Sequence, residues 1–533
     1  MRGVVASVEG PAADAGAQML RRGGNAMDAA IATAFAQCVT NPLMCGIGGM
    51  GVMTAHDAAT GETLCIGFWG MAGSLARPDT FTADLVETPR GRRVRGERNA
   101  MGYQSVMTPG FIRGMADGFR RFGSGRIAWK DLLMPAVRLA HEGFVVDRYI
   151  RRWWDLDPWI TGDPPAEERM RVTADAARIY LKDGHLYDVG DRLVQEDYAR
   201  TIERLADAGP DDFYEGQIGK VIAGDMAAHG GLFTADDLHR YRPLCGEPLW
   251  GTFQDLTIAA DGPPGSGLLV IQILNILEGI DLRALGWNSP RYLDVVARAM
   301  RHAFAGRFVY NADPRFTPVP LDMLLSQERA ADVRRQILEG RDVPAPPAPA
   351  PFRGEGTTHV SVIDGDGNAV AMTHSTRESS GVVPPGLGFT LNNDMASFDP
   401  VPGRRNSIGP GKIPVTGGAP TLVFKDGQAH MALGSPGGGP KVNGIVQVIL
   451  NVHVFGMSIE EAVRAERIHC DSEPVMVEES TPDEKMEALR RLGHRVERWP
   501  YAARMAAVLR NPKTGRLEGA SDHRGGAGLA VVE

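Results

Sequence analysis

Thr357-Thr-His-Val-Ser-Val-Ile-Asp364 alternates β-branched residues, Gly365-Asp-Gly-Asn368 is turn sequence, and Ala369-Val-Ala-Met-Thr-His374 supplies a partner. Together they predict a two-stranded hairpin. Thr421-Leu-Val-Phe424, Lys425-Asp-Gly-Gln428 and Ala429-His-Met-Ala-Leu433 read as a second one. Glycine-rich Gly434-Ser-Pro-Gly-Gly-Gly-Pro440 then leads into a predicted helix over 441–455. Strands mixed with helices in this way predict an α+β fold in which helices cover a sheet sandwich.

Working outward, the chain opens with two predicted helices. One over 13–22 stops at Gly23-Gly24, and Asn25 can cap an alanine-rich one over 26–39. Gly46-Ile-Gly-Gly-Met-Gly51 follows, where glycines permit close backbone approach. Residues 108–340 are expected to be mainly helical, most clearly over 112–122, 129–142, 196–207, 268–278 and 291–309. Thr234 starts a further capped helix. Gly262-Pro-Pro-Gly-Ser-Gly267 lacks the Lys-Ser/Thr of a phosphate loop. Val343-Pro-Ala-Pro-Pro-Ala-Pro-Ala-Pro351 should be extended and exposed, just ahead of Thr357. No linker separates independent units, so residues 1–533 are expected to form one domain.

With 43% hydrophobic and 23% charged residues, the chain reads as globular, and its net charge of −8 argues against general nucleic-acid binding. The run Arg90, Arg92, Arg93, Arg95 and Arg98 reads as a solvated loop, with an anion-attracting rim as the sharper alternative. Five irregularly spaced cysteines form no CxxC pair, which predicts buried, reduced thiols in a reducing, cytoplasmic setting. The 13 histidines form no HExxH, so neither metal nor other cofactor is expected. The N-terminus has no leader pattern, and the longest apolar stretch, 29–39, is broken by Gln37 and too short to span a bilayer. No membrane partner is therefore expected.

A threonine hydroxyl is a poor nucleophile unless a base stands beside it. A threonine at a chain terminus carries that base itself, its α-amino group, with a pKa of roughly 7.7–8.0. Cleavage after Gly356 would make Thr357 such a residue. Taken alone, Thr-Thr-His at a strand start is ordinary strand sequence. Gly434-Ser-Pro-Gly-Gly438 offers backbone N–H groups that could hold an oxyanion, or could be a plain strand-to-helix turn.

The wider set of motifs resembles the gamma-glutamyltranspeptidase family of N-terminal-nucleophile hydrolases over nearly the whole chain. The resemblance rests on Arg22-Gly-Gly-Asn-Ala-Met-Asp-Ala-Ala30, Cys45-Gly-Ile-Gly-Gly49, Asn275-Ile-Leu-Glu-Gly279 and Ala299-Met-Arg-His-Ala303. It continues through Thr357-Thr-His-Val-Ser-Val, Asp366-Gly-Asn-Ala-Val370, Leu391-Asn-Asn393, Gly434-Ser-Pro-Gly-Gly438 and Gly519-Ala-Ser-Asp522, in order. It implies a four-layer αββα sandwich cut between Gly356 and Thr357 into a large subunit, 1–356, and a small one, 357–533. These would stay intertwined, and a dimer of the processed pair is compatible with the reading. The resemblance further implies an acyl-enzyme on Thr357, Ser375 as the hydroxyl beside the nucleophile, and Gly437 and Gly438 as the oxyanion hole.

The specificity pocket departs from the family pattern. Trp69 stands where an arginine is expected to hold the substrate α-carboxylate, so the bidentate cationic fork is lost. Asp394 keeps one carboxylate that would face the α-amino group, while Ser397 replaces the other. Arg377 falls near a family asparagine, either to hold a substrate carboxylate or to form a surface ion pair. Thr416-Gly417 stands for paired serines. The expectation is an autoprocessed amidohydrolase or acyltransferase acting on a small amide or gamma-glutamyl-like compound, with water or an amine as acceptor. The alternatives are a gamma-glutamyltransferase or glutathione hydrolase with a modified pocket, and an uncut, non-catalytic binding protein.

Overall fold

Strand Thr358–Asp364 pairs antiparallel with Ala369–Ser375, with Thr358 opposite His374 and Ile363 opposite Ala369. Both predicted hairpins form, as does the helix after the second, at Pro440–His453. The structure is a computed structural model that describes residues 2–88, 91–155, 163–341, 356–500 and 503–533. Arg90 and the proline-rich stretch 343–351 lie outside the described residues.

Two sheets carry the architecture. A seven-stranded sheet runs in the order Leu244–Gly246, Thr63–Phe68, Met50–His56, Ala369–Ser375, Thr358–Asp364, Gly3–Ser7, Gly528–Val532. A six-stranded sheet runs Leu249–Phe253, Leu256–Ala260, Thr421–Lys425, Gln428–Gly434, Ala506–Arg510, Leu517–Ser521. Every neighbouring pair in both is antiparallel. Strands from before and after position 357 interleave in the seven-stranded sheet, and in the six-stranded one Leu249–Phe253 and Leu256–Ala260 pair onto the edge of four later strands.

The period of two explains the layering. Along Thr358–Asp364, Val360 and Val362 join an apolar cluster with the helices Ala26–Thr40, Phe111–Phe122 and Trp129–Glu142. Ile363 turns the other way, into a core of small side chains shared with Leu422, Ala432 and Val508 of the second sheet. On that same face Ser361 Oγ donates to the Ala506 carbonyl at 3.1 Å. The far side of the six-stranded sheet is covered by Gly267–Leu277, Pro290–Tyr310 and Pro440–His453, which share a third cluster with Ile258, Met431 and Leu433. The result is the four-layer αββα sandwich.

Local chemistry accounts for the helix starts. Asn25 accepts hydrogen bonds from the Met27 and Asp28 N–H groups, and Asp28 answers by accepting from the Asn25 N–H, a reciprocal cap. Thr234 and Asp237 do the same. Three expectations need correction. Gly3–Ser7 is an interior strand, next to the edge of the seven-stranded sheet, too short and too uniformly buried for an alternating pattern. The largely helical region 108–340 also contains Leu244–Gly246, Leu249–Phe253 and Leu256–Ala260, which carry both sheets. Cys245 is exposed, whereas the other four cysteines are buried. No helix among the described residues is long and apolar enough to cross a membrane.

Candidate active site

One residue beyond the Thr358–His374 pair, the same register sets Thr357 opposite Ser375. Thr357 is buried, and in this uncut chain its Oγ1 donates to the Gly356 carbonyl oxygen at 2.5 Å. Ser375 Oγ donates to that same oxygen, and the two hydroxyl oxygens are 3.5 Å apart. Two donors thus converge on the carbonyl of the bond predicted to break. From the other side, the Gly356 N–H donates to Glu378 Oε1 at 2.6 Å. The approach is so close that a Cβ on Gly356 would lie 1.4 Å from the Arg377 carbonyl oxygen. Ser375 is itself crowded by the glycine-rich turn read from the sequence, since a Cβ on Gly49 would lie 2.3 Å from its carbonyl oxygen.

A cleft of about 430 Å³, open mouth included, adjoins these groups. Its walls include Gly356, Thr357, Ser375 and Arg377, together with Trp69, Asp394, Ser397 and Thr416. The Trp69 ring packs with Val52 and Ile413 and presses on Gly418, where a Cβ would meet Cη2 at 2.5 Å. Trp69 therefore lines the cleft and belongs to a small core at once. Asp394 Oδ1 accepts from Ser397 Oγ at 2.7 Å. Burial raises the Asp394 carboxyl to about 6, against the Ser397 hydrogen bond and the Arg377 charge, which both favour ionisation. Arg377 forms no surface pair; its guanidinium contacts the buried Asp163 carboxylate. Burial disfavours its charge, but Asp163, Glu378 and Asp394 outweigh that and hold it protonated. The Thr416 carbonyl accepts from Ser266 Oγ at 2.6 Å, so the Gly262–Gly267 turn buttresses the cleft rather than a phosphate.

Gly437 and Gly438 are buried in the turn before helix Pro440–His453 and are not among the residues lining the cleft. Gly437 has φ of 100°, a conformation that favours glycine. Lys441, on the first turn of that helix, does line the cleft, and its proximity to apolar helix sequence hid it from sequence reasoning. Glu378 was likewise missed, because its role depends on a turn that brings it back to Gly356. The basic run at 92–98 is a paired surface feature, with Arg92 on Glu87 and Arg98 on Asp84.

Behind the site, Gln37 ties the nucleophile strand to the helix layer. Its Nε2 lies 2.8 Å from Thr358 Oγ1, 2.9 Å from Glu9 Oε2 and 3.0 Å from the His359 carbonyl, and its Oε1 is 2.8 Å from His374 Nε2. Burial lowers both His359 and His374 to about 3, so both rings are neutral. Burial raises Glu9, with hydrogen bonds from Asn41, Gln37 and Thr358 opposing it. Cys38, Cys45 and His374 offer ligand atoms within 4.8 Å of one another. Burial pushes the Cys45 thiol well above its ordinary value, and its sulfur donates to the Gln37 carbonyl at 3.2 Å.

An αββα sandwich with a threonine heading a central strand is the architecture of an N-terminal-nucleophile amide hydrolase or acyltransferase. More narrowly, the chain belongs to the gamma-glutamyltranspeptidase family, whose model, described as Gamma-glutamyltranspeptidase, matches residues 12–532. It is 38% identical to "Acylase ACY 1 proenzyme" of Pseudomonas sp. (strain SE83), covering 98% of this chain and 92% of that one. It is 33% identical to "Glutathione hydrolase proenzyme" of Escherichia coli (strain K12), over 98% of this chain and 90% of that one. Its fold superposes on the crystal structure of cephalosporin acylase from Bacillus halodurans with a TM-score of 0.87 and 28% identity, covering 100% and 96% of the two chains. The protein is an amide hydrolase or acyltransferase of this family.

Proposed function

We propose that the chain is a proenzyme that cuts itself between Gly356 and Thr357, and that the freed Thr357 then transfers the acyl group of a small amide through a covalent acyl-enzyme. The observation that carries this is the convergence of Thr357 Oγ1 and Ser375 Oγ on the Gly356 carbonyl oxygen inside the cleft. After the cut, the Thr357 α-amino group accepts the proton of its own hydroxyl and Ser375 steadies that hydroxyl; the oxyanion role of Gly437 and Gly438 rests on the family resemblance, since neither lines the cleft of the uncut chain. Water or an amine then releases the acyl group. The fragments 1–356 and 357–533 remain together, a reading supported by their interleaved strands.

Among amide donors, an acylase-type substrate fits better than a free gamma-glutamyl head group. Trp69 gives the cleft an indole in place of a cationic fork, and Ser397 spends its hydroxyl on Asp394. Arg377, paired with Asp163, reaches a substrate carboxylate only in competition with that partner. A glutathione hydrolase is the second reading, favoured by the retained Asp394 carboxylate at the cleft wall. A reducing, cytoplasmic setting remains our proposal, supported by four buried, unbridged thiols. The deciding experiment is mass spectrometry of the mature protein with a panel of amides and glutathione. An acyl adduct on the 357–533 fragment identifies the donor. A chain that stays uncut and unmodified with every donor overturns the proposal.

A further inference from the structure

Gly356 is gripped by both of its backbone polar groups, which belong to the peptide units on either side of its Cα. Its carbonyl oxygen accepts from Thr357 and Ser375, while its N–H donates to Glu378 Oε1 at 2.6 Å. Nothing in the family reading of the sequence singled out Glu378. Its side chain is 1% exposed, and its other oxygen, Oε2, lies 3.8 Å from Arg169 Nη2. Arg169 is fixed in turn, with Nη1 donating to the Ser379 carbonyl at 2.8 Å and Nε donating to the Pro164 carbonyl at 3.0 Å.

The turn that presents Glu378 is unusual. Arg377 and Ser379, on either side of it, have φ of 60° and 66°, the left-handed region that residues with a Cβ seldom occupy. Such conformations persist where surrounding contacts impose them, and they gather at functional sites. Here the Arg377 N–H donates to Ser375 Oγ at 2.7 Å, and the Glu378 N–H donates to Asn393 Oδ1 at 2.9 Å. The backbone is thereby bent so that the hydroxyl of Ser375 and the carboxylate of Glu378 reach the same glycine.

We infer that Glu378 is a positioning residue for self-cleavage, an inference that rests on the proposed cut at Gly356–Thr357. In that step Thr357 Oγ1 bonds to the Gly356 carbonyl carbon, the Gly356–Thr357 C–N bond breaks, and the hydroxyl proton ends on the departing Thr357 amine. Water then hydrolyses the resulting ester, restoring the hydroxyl and leaving Gly356 as a carboxylate. The attack needs the carbonyl carbon held within near-attack reach of Oγ1. A glycine has the freest backbone of any residue, so an anchor on its N–H fixes the preceding peptide unit and limits the swing of the scissile carbonyl about the Gly356 Cα. Glu378 supplies that anchor through the hydrogen bond its Oε1 accepts from the Gly356 N–H.

Two variants separate this role from a purely structural ion pair with Arg169. Glu378→Gln keeps the acceptor at full reach and loses the charge. Glu378→Asp keeps the charge and withdraws the acceptor by one methylene. Cleavage is followed on denaturing gels of freshly purified full chain. Positioning predicts that the Gln variant cuts within about threefold of wild type, while the Asp variant cuts about ten- to a hundredfold more slowly. The reverse order, with Asp fast and Gln slow, assigns Glu378 to Arg169 alone and overturns the inference. Equal rates for all three chains also overturn it, while leaving the cleavage reading intact. An uncut wild-type chain overturns the cleavage reading, and this inference with it.

Discussion

Ser397 Oγ donates to Asp394 Oδ1 at 2.7 Å, and both side chains line the cleft that Thr357 also lines. The hydroxyl favours the ionised carboxylate but does not offset burial, which lifts Asp394 from 3.8 to about 6. Above that pH the cleft carries an anion suited to a substrate ammonium, and below it a neutral acid. The KM for an amine-bearing donor should rise as pH falls through about 6, by roughly tenfold per pH unit well below it. Asp394→Asn should have a high KM with no such limb. Superimposable pH profiles for the two proteins would remove Asp394 from substrate binding. The sign for stability follows from the same shift. Between about 4 and 6 the folded chain holds a proton that the unfolded chain has released, so on this group's account stability falls as pH rises through that window.

Thr357→Ala should leave a single full-length band on a denaturing gel and abolish amide turnover. Ser375→Ala removes one of two donors to the Gly356 carbonyl oxygen. By analogy with the loss of one oxyanion donor, cleavage should slow by about a hundredfold or more. Ser375→Thr keeps the hydroxyl and should restore most of the rate. Cleavage of Ser375→Ala at the wild-type rate would show that the second donor is idle.

Gly356→Ala tests the steric side of the same geometry. A Cβ there would lie 1.4 Å from the Arg377 carbonyl oxygen, and backbone cannot give way as the end of a flexible side chain can. The segment must shift, taking the Gly356 carbonyl away from both hydroxyls. Cleavage should be lost or slowed by more than a hundredfold, a penalty of about 3 kcal/mol on the barrier. Gly356 is itself buried, so the thermal midpoint should fall as well, and cleavage must be scored on the fraction that remains folded. Unchanged cleavage would mean that the arrangement at this peptide is not the reactive one.

The sequence made the two hairpins, the longer helices and Thr357 legible because each rests on local pattern: β-branched alternation, turn glycines, caps. Trp69, Asp394, Ser397 and Thr416 were placed by family motifs, and all four do line one cleft. Gly3–Ser7 was not legible, since a five-residue run buried on both faces has no alternation to read. Glu378, Lys441 and the Asp163 partner of Arg377 were not legible either. Their roles are set by left-handed turns and by contacts across more than 200 positions in the Arg377–Asp163 case. Gln37 is the sharpest instance. In sequence it only interrupts an apolar stretch, whereas in the fold it joins the first sheet to its helix layer.

That role makes Gln37 the most demanding test of how the nucleophile is held. Its amide meets Glu9, Thr358, the His359 carbonyl and His374, all buried. Gln37→Leu is close in volume but leaves several of these groups without a partner, each costing about 1–3 kcal/mol if nothing replaces it. The thermal midpoint should fall clearly, and cleavage should slow even in the protein that remains folded, because the strand following Thr357 loses its tether. Gln37→Glu separates packing from charge. It sets a second carboxyl beside buried Glu9, whose own acidity is already weakened by burial. Two such groups favour the protonated form, so their folded pKa values lie above the unfolded ones, and stability should be lost as pH rises above the ordinary carboxylate range. Melting curves at pH 5 and pH 8 should therefore diverge most for Gln37→Glu and less for Gln37→Leu, which only removes one of the hydrogen bonds that hold Glu9 down. If Gln37→Glu shows no such divergence, Glu9 and Gln37 are not sharing one dry pocket, and the tether to Thr358 must be carried by another contact.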